Sequence, residues 1–202
     1  MSSQPKNISV GLPEKMIVHR GQYILKNLYN TILLWLDSRG YKSLDFSEDS
    51  ILQIGETFYF EKINPDATKE TTIWIKAFKE AELQSQKSNF KVKVILQILR
   101  QIDGQITIKG EQRMVNQGDV RIIIRPELEH LQFRKSLTFG QNLLQLFNIT
   151  KISESEKITT LHKLEELFKG EMEDLALHLK KHLDMAHNEI KEDLIHGQFD
   201  SI

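Results

Sequence analysis

Asp174, His178 and His182 are the side chains whose type and spacing come nearest to a reactive centre. Steps of four residues place all three on one strip of a helix, and two histidines one turn apart can hold zinc or a similar ion through their ring nitrogens. Glu171 and Glu189 lie near the same strip. The glutamate that directly follows the first histidine in the zinc-protease motif is missing. The strip also borders an apolar stripe, where polar residues ordinarily form a solvated flank. No metal centre is therefore expected. Asp174, His178 and His182 are the set that would hold one. His187 and His196 are less specific still.

A second constellation lies in the strand-forming middle of the chain. Alternation there puts Trp74, Lys76, Phe78, Lys91, Lys93, Arg121 and Arg125 on one face of a sheet. A tryptophan among lysines and arginines can stack bases and contact phosphates, so Trp74, Lys76, Lys91, Lys93, Arg121 and Arg125 form the candidate binding set. Outward lysines and arginines also simply keep a sheet in solution. The strand order is not that of an RNA-recognition module, and nucleic acid is the less favoured partner. Gly104, Gly110 and Gly118 are spaced wrongly for a phosphate cradle, which belongs at a strand-to-helix junction. There is no Walker motif, dinucleotide fingerprint or G-x-S-x-G elbow. With Cys 0, thiolate metal sites, cysteine nucleophiles and disulfides are excluded. Catalysis has no positive support, and no cofactor is expected.

The elements that must position these residues are those of an ordinary globular chain. At 202 residues, 40% hydrophobic and 27% charged, it has material for one core. A formal net charge of -1 gives no general pull towards polyanions. The start is too polar for a secretory signal, and no run approaches the roughly 18 apolar residues of a membrane span. Together with the lack of cysteine, this reads as a cytoplasmic protein. Residues 1–12 are expected to fray, and 197–202 to form a tail. Residues 13–137 should hold a helix plus an antiparallel sheet, and 138–196 C-terminal helices packed on the same domain.

Lys15 to His19 is ambiguous and could be a strand. From Gln22 to Ser38, Leu25, Leu28, Ile32 and Trp35 step by 3, 4 and 3, the mark of a helix, with Ile24, Leu33, Leu34 and Leu36 widening the apolar face and Gly40 at its end. Strands follow at Phe58–Ile63, Thr71–Lys79, Phe90–Arg100, Gln105–Lys109 and Asp119–Arg125. The turn compositions Asn64-Pro65-Asp66, Asp103-Gly104 and Asn116-Gln117-Gly118 separate them. Pro126 should keep the last strand from being fully central. Ile73, Ile75 and Ala77, then Phe90 to Ile98 at alternate positions, then Val120, Ile122 and Ile124 make the aliphatic face. Ile95, Leu99 and Ile123 are apolar intruders on the basic face, which implies a cover for its centre. After a short helix at Gly140–Phe147, a long one should run from about Glu156 to Ile195. Its stripe is Leu161, Leu164, Phe168, Met172, Leu175, Leu179, Leu183, Ala186, Ile190 and Leu194. That repeat of 11, near 3.67 residues per turn, suits a straight helix across a sheet rather than a left-handed coiled coil. Gly170 is a place for it to bend or break. From Lys151 to Ile202 seven lysines meet twelve acids, a net of -5, against +3 over Ile51–Thr150.

The order of Phe58-Tyr59-Phe60-Glu61-Lys62, the Asn64-Pro65-Asp66 turn, the run Thr72 to Lys79 and Asn116-Gln117-Gly118-Asp119-Val120 resembles a family of uncharacterised archaeal proteins. The resemblance covers about two thirds of the chain. It departs after Pro126, where the family has an acidic-aromatic segment. It implies an N-terminal helix, an antiparallel sheet and a long C-terminal helix, and no assigned activity. The fold expected is α+β: a four- to five-stranded antiparallel meander covered by an N-terminal and a long C-terminal helix. If Lys15–His19 is a strand, the order becomes that of a helix-grip fold. The function expected is noncatalytic, an interaction or structural protein. A hydrophobic small molecule in a helix-grip cavity, or nucleic acid on the basic face, is the alternative. A homodimer or another protein is the expected partner, with the basic face the surface a second copy would cover.

Overall fold

The computed structural model describes residues 8–43, 54–83, 86–108, 111–130 and 154–199. The fold is α+β, as the patterning predicts. In chain order the elements are β1 (Ile8–Gly11), β2 (Lys15–Tyr23), α1 (Leu25–Ser38), β3 (Glu56–Ile63), β4 (Lys69–Leu83), β5 (Gln86–Ile108), β6 (Glu111–His130) and α2 (Glu154–Phe199). The six strands form one antiparallel sheet in the order β1-β6-β5-β4-β3, with β2 also on β6. The expected helix at Gly140–Phe147 lies outside the described residues.

Several expectations are corrected. Residues 8–11 do not fray but pair with β6, from Ile8↔His130 to Gly11↔Glu127. The ambiguous Lys15–His19 segment is a strand and runs on to Tyr23, so α1 starts at Leu25 rather than Gln22. Pro126 stands in a strand paired on both sides. Its missing N–H is tolerated because β1 and β2 break at Leu12–Glu14, opposite it, and Leu12 N–H donates to the Pro126 carbonyl at 3.0 Å. Asp103-Gly104 and Asn116-Gln117-Gly118 are not turns. They lie inside β5 and β6, where Asp103 is opposite Asn116 and Gly104 opposite Val115.

The aliphatic face is the core face. Ile73, Ile75, Val94, Leu96, Ile98, Val120, Ile122 and Ile124 are all buried there. α1 turns Leu28, Ile32, Leu33, Trp35 and Leu36 inward, while Leu34 faces out. Its first orphan donor, Leu25 N–H, is taken by Asn116 Oδ1 at 2.8 Å, a cap supplied by the sheet. Its end is a Schellman turn: Gly40 at φ +77 donates to Asp37 O, and Tyr41 N–H to Leu36 O.

Of the expected α2 stripe, Leu161, Ala186, Ile190 and Leu194 lie outside the described side chains, and the rest is buried as expected. Leu164, Phe168, Met172, Leu175, Leu179 and Leu183 are at most 2% exposed. The helix does not break at Gly170, which lies on its outer side with no atom within 4 Å of where a Cβ would stand. Gly170→Ala is therefore expected to stabilise the protein by about 1 kcal/mol, the helix-propensity difference. Thermal unfolding should show a midpoint about 2–4 °C higher.

Candidate functional site

The outer face of the sheet is laid out in cross-strand rows, fixed by the antiparallel registers. One row is apolar: Phe58, Trp74, Ile95, Ile123 and Met16. The next row is cationic, with Lys76 opposite Lys93 and Lys93 opposite Arg125. Beyond it come Phe78, Lys91 and Glu127. On the other side of the apolar row lie Thr72, Gln97, Arg121 and Val18. All six residues of the candidate binding set thus share one face.

They do not share one site. A groove of about 550 Å³ takes in Lys76, Lys91, Lys93 and Arg125 with the carboxylates of Glu14 and Glu127. Trp74, within the apolar row, and Arg121, across it, do not line the groove. Arg125 Nε is bonded to Glu14 at 2.6 Å, and Lys91 Nζ lies 3.0 Å from Glu129. Lys93 Nζ sits 3.5 Å from the centroid of the Trp74 ring, a cation–π contact. Phe58 packs on the same tryptophan at 4.5 Å between centroids. Lys76 is exposed and forms no ion pair among the described residues. Burial, then the charges of Lys76 and Arg125, hold the Lys93 ammonium below its ordinary pKa.

The centre of this face is covered, as its apolar residues imply. Ile95 and Ile123 are 5% and 8% exposed within a single chain, so they need no second copy to leave water. That removes the reason for placing a dimer contact there.

Asp174, His178 and His182 do not converge. Asp174 accepts a bond from Arg39 at 2.5 Å, tying α2 to the end of α1. His182 Nδ1 is 3.4 Å from Thr31 Oγ1 on α1, and burial, then the nearby His178, lowers its pKa. His178 is exposed. Among the described residues no three His, Cys, Asp or Glu side chains come together as metal ligands would.

A polar cluster absent from the sequence reading lies between helix and sheet. Lys79 Nζ is 2.5 Å from Glu171 Oε1, and Tyr41 donates its hydroxyl to Glu171 Oε2 at 2.8 Å. Burial, then Glu171, raises the Tyr41 pKa. All three groups are engaged with each other, an arrangement that docks α2 on β4 rather than one that presents a reactive atom. Among the described residues no helix is long and apolar enough to cross a membrane. No family model, curated protein or solved structure matches the chain.

Proposed function

We propose that the protein is noncatalytic and works by binding, with the groove on the outer sheet face receiving a carboxylate-bearing segment of a protein partner. The observation that carries this reading is the Lys76–Lys93–Arg125 row. Like charges directly opposed across strands destabilise a sheet. Only Arg125 has a carboxylate partner among the described residues. An anion seated over the row relieves that repulsion.

A protein segment suits the groove better than nucleic acid does. The row spans three strands, roughly 10 Å at the usual strand spacing, a short track for a phosphate backbone. Trp74, the stacking residue of the nucleic-acid reading, already carries Lys93 and Phe58 against its ring. The apolar row alongside suits a segment that mixes acids with aliphatic residues. The helix-grip alternative would place a ligand between sheet and α2. There, Phe90 stacks on Phe168 at 4.5 Å and the α2 stripe is buried, which favours recognition on the outside.

The test is fluorescence anisotropy with a labelled peptide of alternating glutamate and leucine, beside a single-stranded oligonucleotide of equal charge. The peptide should bind, and Lys76→Glu and Lys93→Glu should each weaken it about tenfold, or about 1.4 kcal/mol, with circular dichroism unchanged. Tighter binding of the oligonucleotide, or a peptide affinity indifferent to both substitutions, would sink the reading.

A further inference from the structure

β3 is unlike the other strands. All eight of its residues are exposed. They include three consecutive aromatics, Phe58, Tyr59 and Phe60, at 39%, 52% and 49% exposure, and Ile63 at 67%. It is the last strand of the sheet order and pairs only with β4 among the described residues, so one row of its N–H and C=O groups faces outward. Natural sheets blunt such edges with proline, bulges, inward charges or a covering element. β3 has no proline, its bulge lies at its start, between Glu56 and Phe58, and the charges along its regular stretch are one acid on the core-face side, Glu61, and one lysine, Lys62. From Phe58 to Ile63 the pairing with β4 is regular.

We propose that β3 pairs antiparallel with β3 of a second copy, joining two sheets across a two-fold axis. This goes beyond the groove reading and uses the edge of the sheet, which shares only Phe58 with the apolar row beside the groove. Residues directly opposed in an antiparallel pair point to the same face, and side chains alternate along a strand. A self-pairing strand must therefore be centred on a residue, not between two. Centring on Phe60 places the pairing within the regular part of β3, from Phe58 to Lys62. Phe60 then meets its own copy on the axis. Tyr59 lies opposite Glu61 twice, and Phe58 opposite Lys62 twice. No like charges are opposed. Tyr59 already donates its hydroxyl to Glu61 Oε2 at 2.8 Å within the strand, so the same donor and acceptor fit across it. Lysine over an aromatic ring is the contact that Lys93 and Trp74 make elsewhere in this sheet. The strand is complementary to itself in charge, hydrogen bonding and face, and this selects a second copy as the occupant.

Sedimentation velocity of the full chain over a concentration series tests the pairing. Wild type should pass from monomer to dimer. Phe60→Lys and Phe60→Glu should each raise the dissociation constant about tenfold or more, because each opposes like charges on the axis. Phe60 is half exposed, so the fold should survive both changes, with circular dichroism as the check. An equimolar mixture of the two variants should recover the dimer, since lysine then faces glutamate. A wild type that stays monomeric, a dimer untouched by either variant, or a mixture that remains monomeric would each overturn the proposal.

Discussion

Phe168→Ala is expected to remove about 3–5 kcal/mol of folding stability, the range for deleting a buried aromatic ring. Phe168 is 0% exposed and lies on the α2 stripe. Its ring stacks on Phe90 of β5 with centroids 4.5 Å apart and planes 9° from parallel. Three contributions are lost together: the transfer of a large apolar group from water, the dispersion contacts of the cavity left behind, and the ring pair itself, worth about 0.5–1.5 kcal/mol beyond area. The neighbours cannot readily close the gap. Phe90 is fixed by strand pairing on both sides, to Lys79 and Leu128, and Glu171 one turn along α2 is held by Lys79 and Tyr41. Urea denaturation at one fixed protein concentration measures the loss. A change under about 1 kcal/mol would mean that α2 is not clamped on the sheet, because no fully buried phenylalanine is so cheaply removed.

The α2 stripe and the two faces of the sheet were legible in the sequence because each rests on one period held over many residues. Alternation from Phe90 to Leu99 and from Val120 to Arg125 assigned every side chain to its observed face. The misreadings occurred where local chemistry and tertiary context disagree. Asp103-Gly104 and Asn116-Gln117-Gly118 have the composition of turns, yet each belongs to a continuous strand. Asn116 Nδ2 donates to Asp103 at 2.9 Å across the pair, while its Oδ1 caps α1. A residue serving strand, cross-strand pair and helix cap at once looks like a turn former when read locally. The Lys79–Glu171–Tyr41 cluster left a faint signal. Lys79 continues the parity of Ile73, Ile75 and Ala77, so a cation was due on the core face and needed a buried partner. That partner lies 92 residues away, beyond any local pattern. The candidate site was legible as a set of residues on one face. Its division into a groove and the separate Trp74 and Arg121 depends on register, which composition does not encode.

The misread glycine carries the other large expected effect. Between Leu99 and Ile102 the register of β5 slips against β6, so Arg100 and Gln101 stand where one residue would pair, opposite Gly118. Arg100 takes the left-handed conformation at φ +54, and its side chain bonds to Asp119, next to the glycine. Gly118 is needed there for room. A Cβ on it would stand 2.9 Å from Leu99 O, 3.2 Å from Arg100 O and 3.2 Å from Gln101 Cα. All three are backbone atoms held in a ladder, so they cannot step aside as the end of a side chain can. Gly118→Ala is expected to cost about 3 kcal/mol, the upper part of the usual range for overpacking. Gly104→Ala, on the same hairpin, is the control. Its Cβ would meet only Val115 O, at 3.8 Å. That change should be neutral or stabilise by about 0.4–1 kcal/mol through the unfolded chain. Urea denaturation of the two variants side by side separates steric demand at the bulge from the general effect of removing a glycine. Equal stabilities would show that β5 and β6 do not approach each other at Gly118 as described.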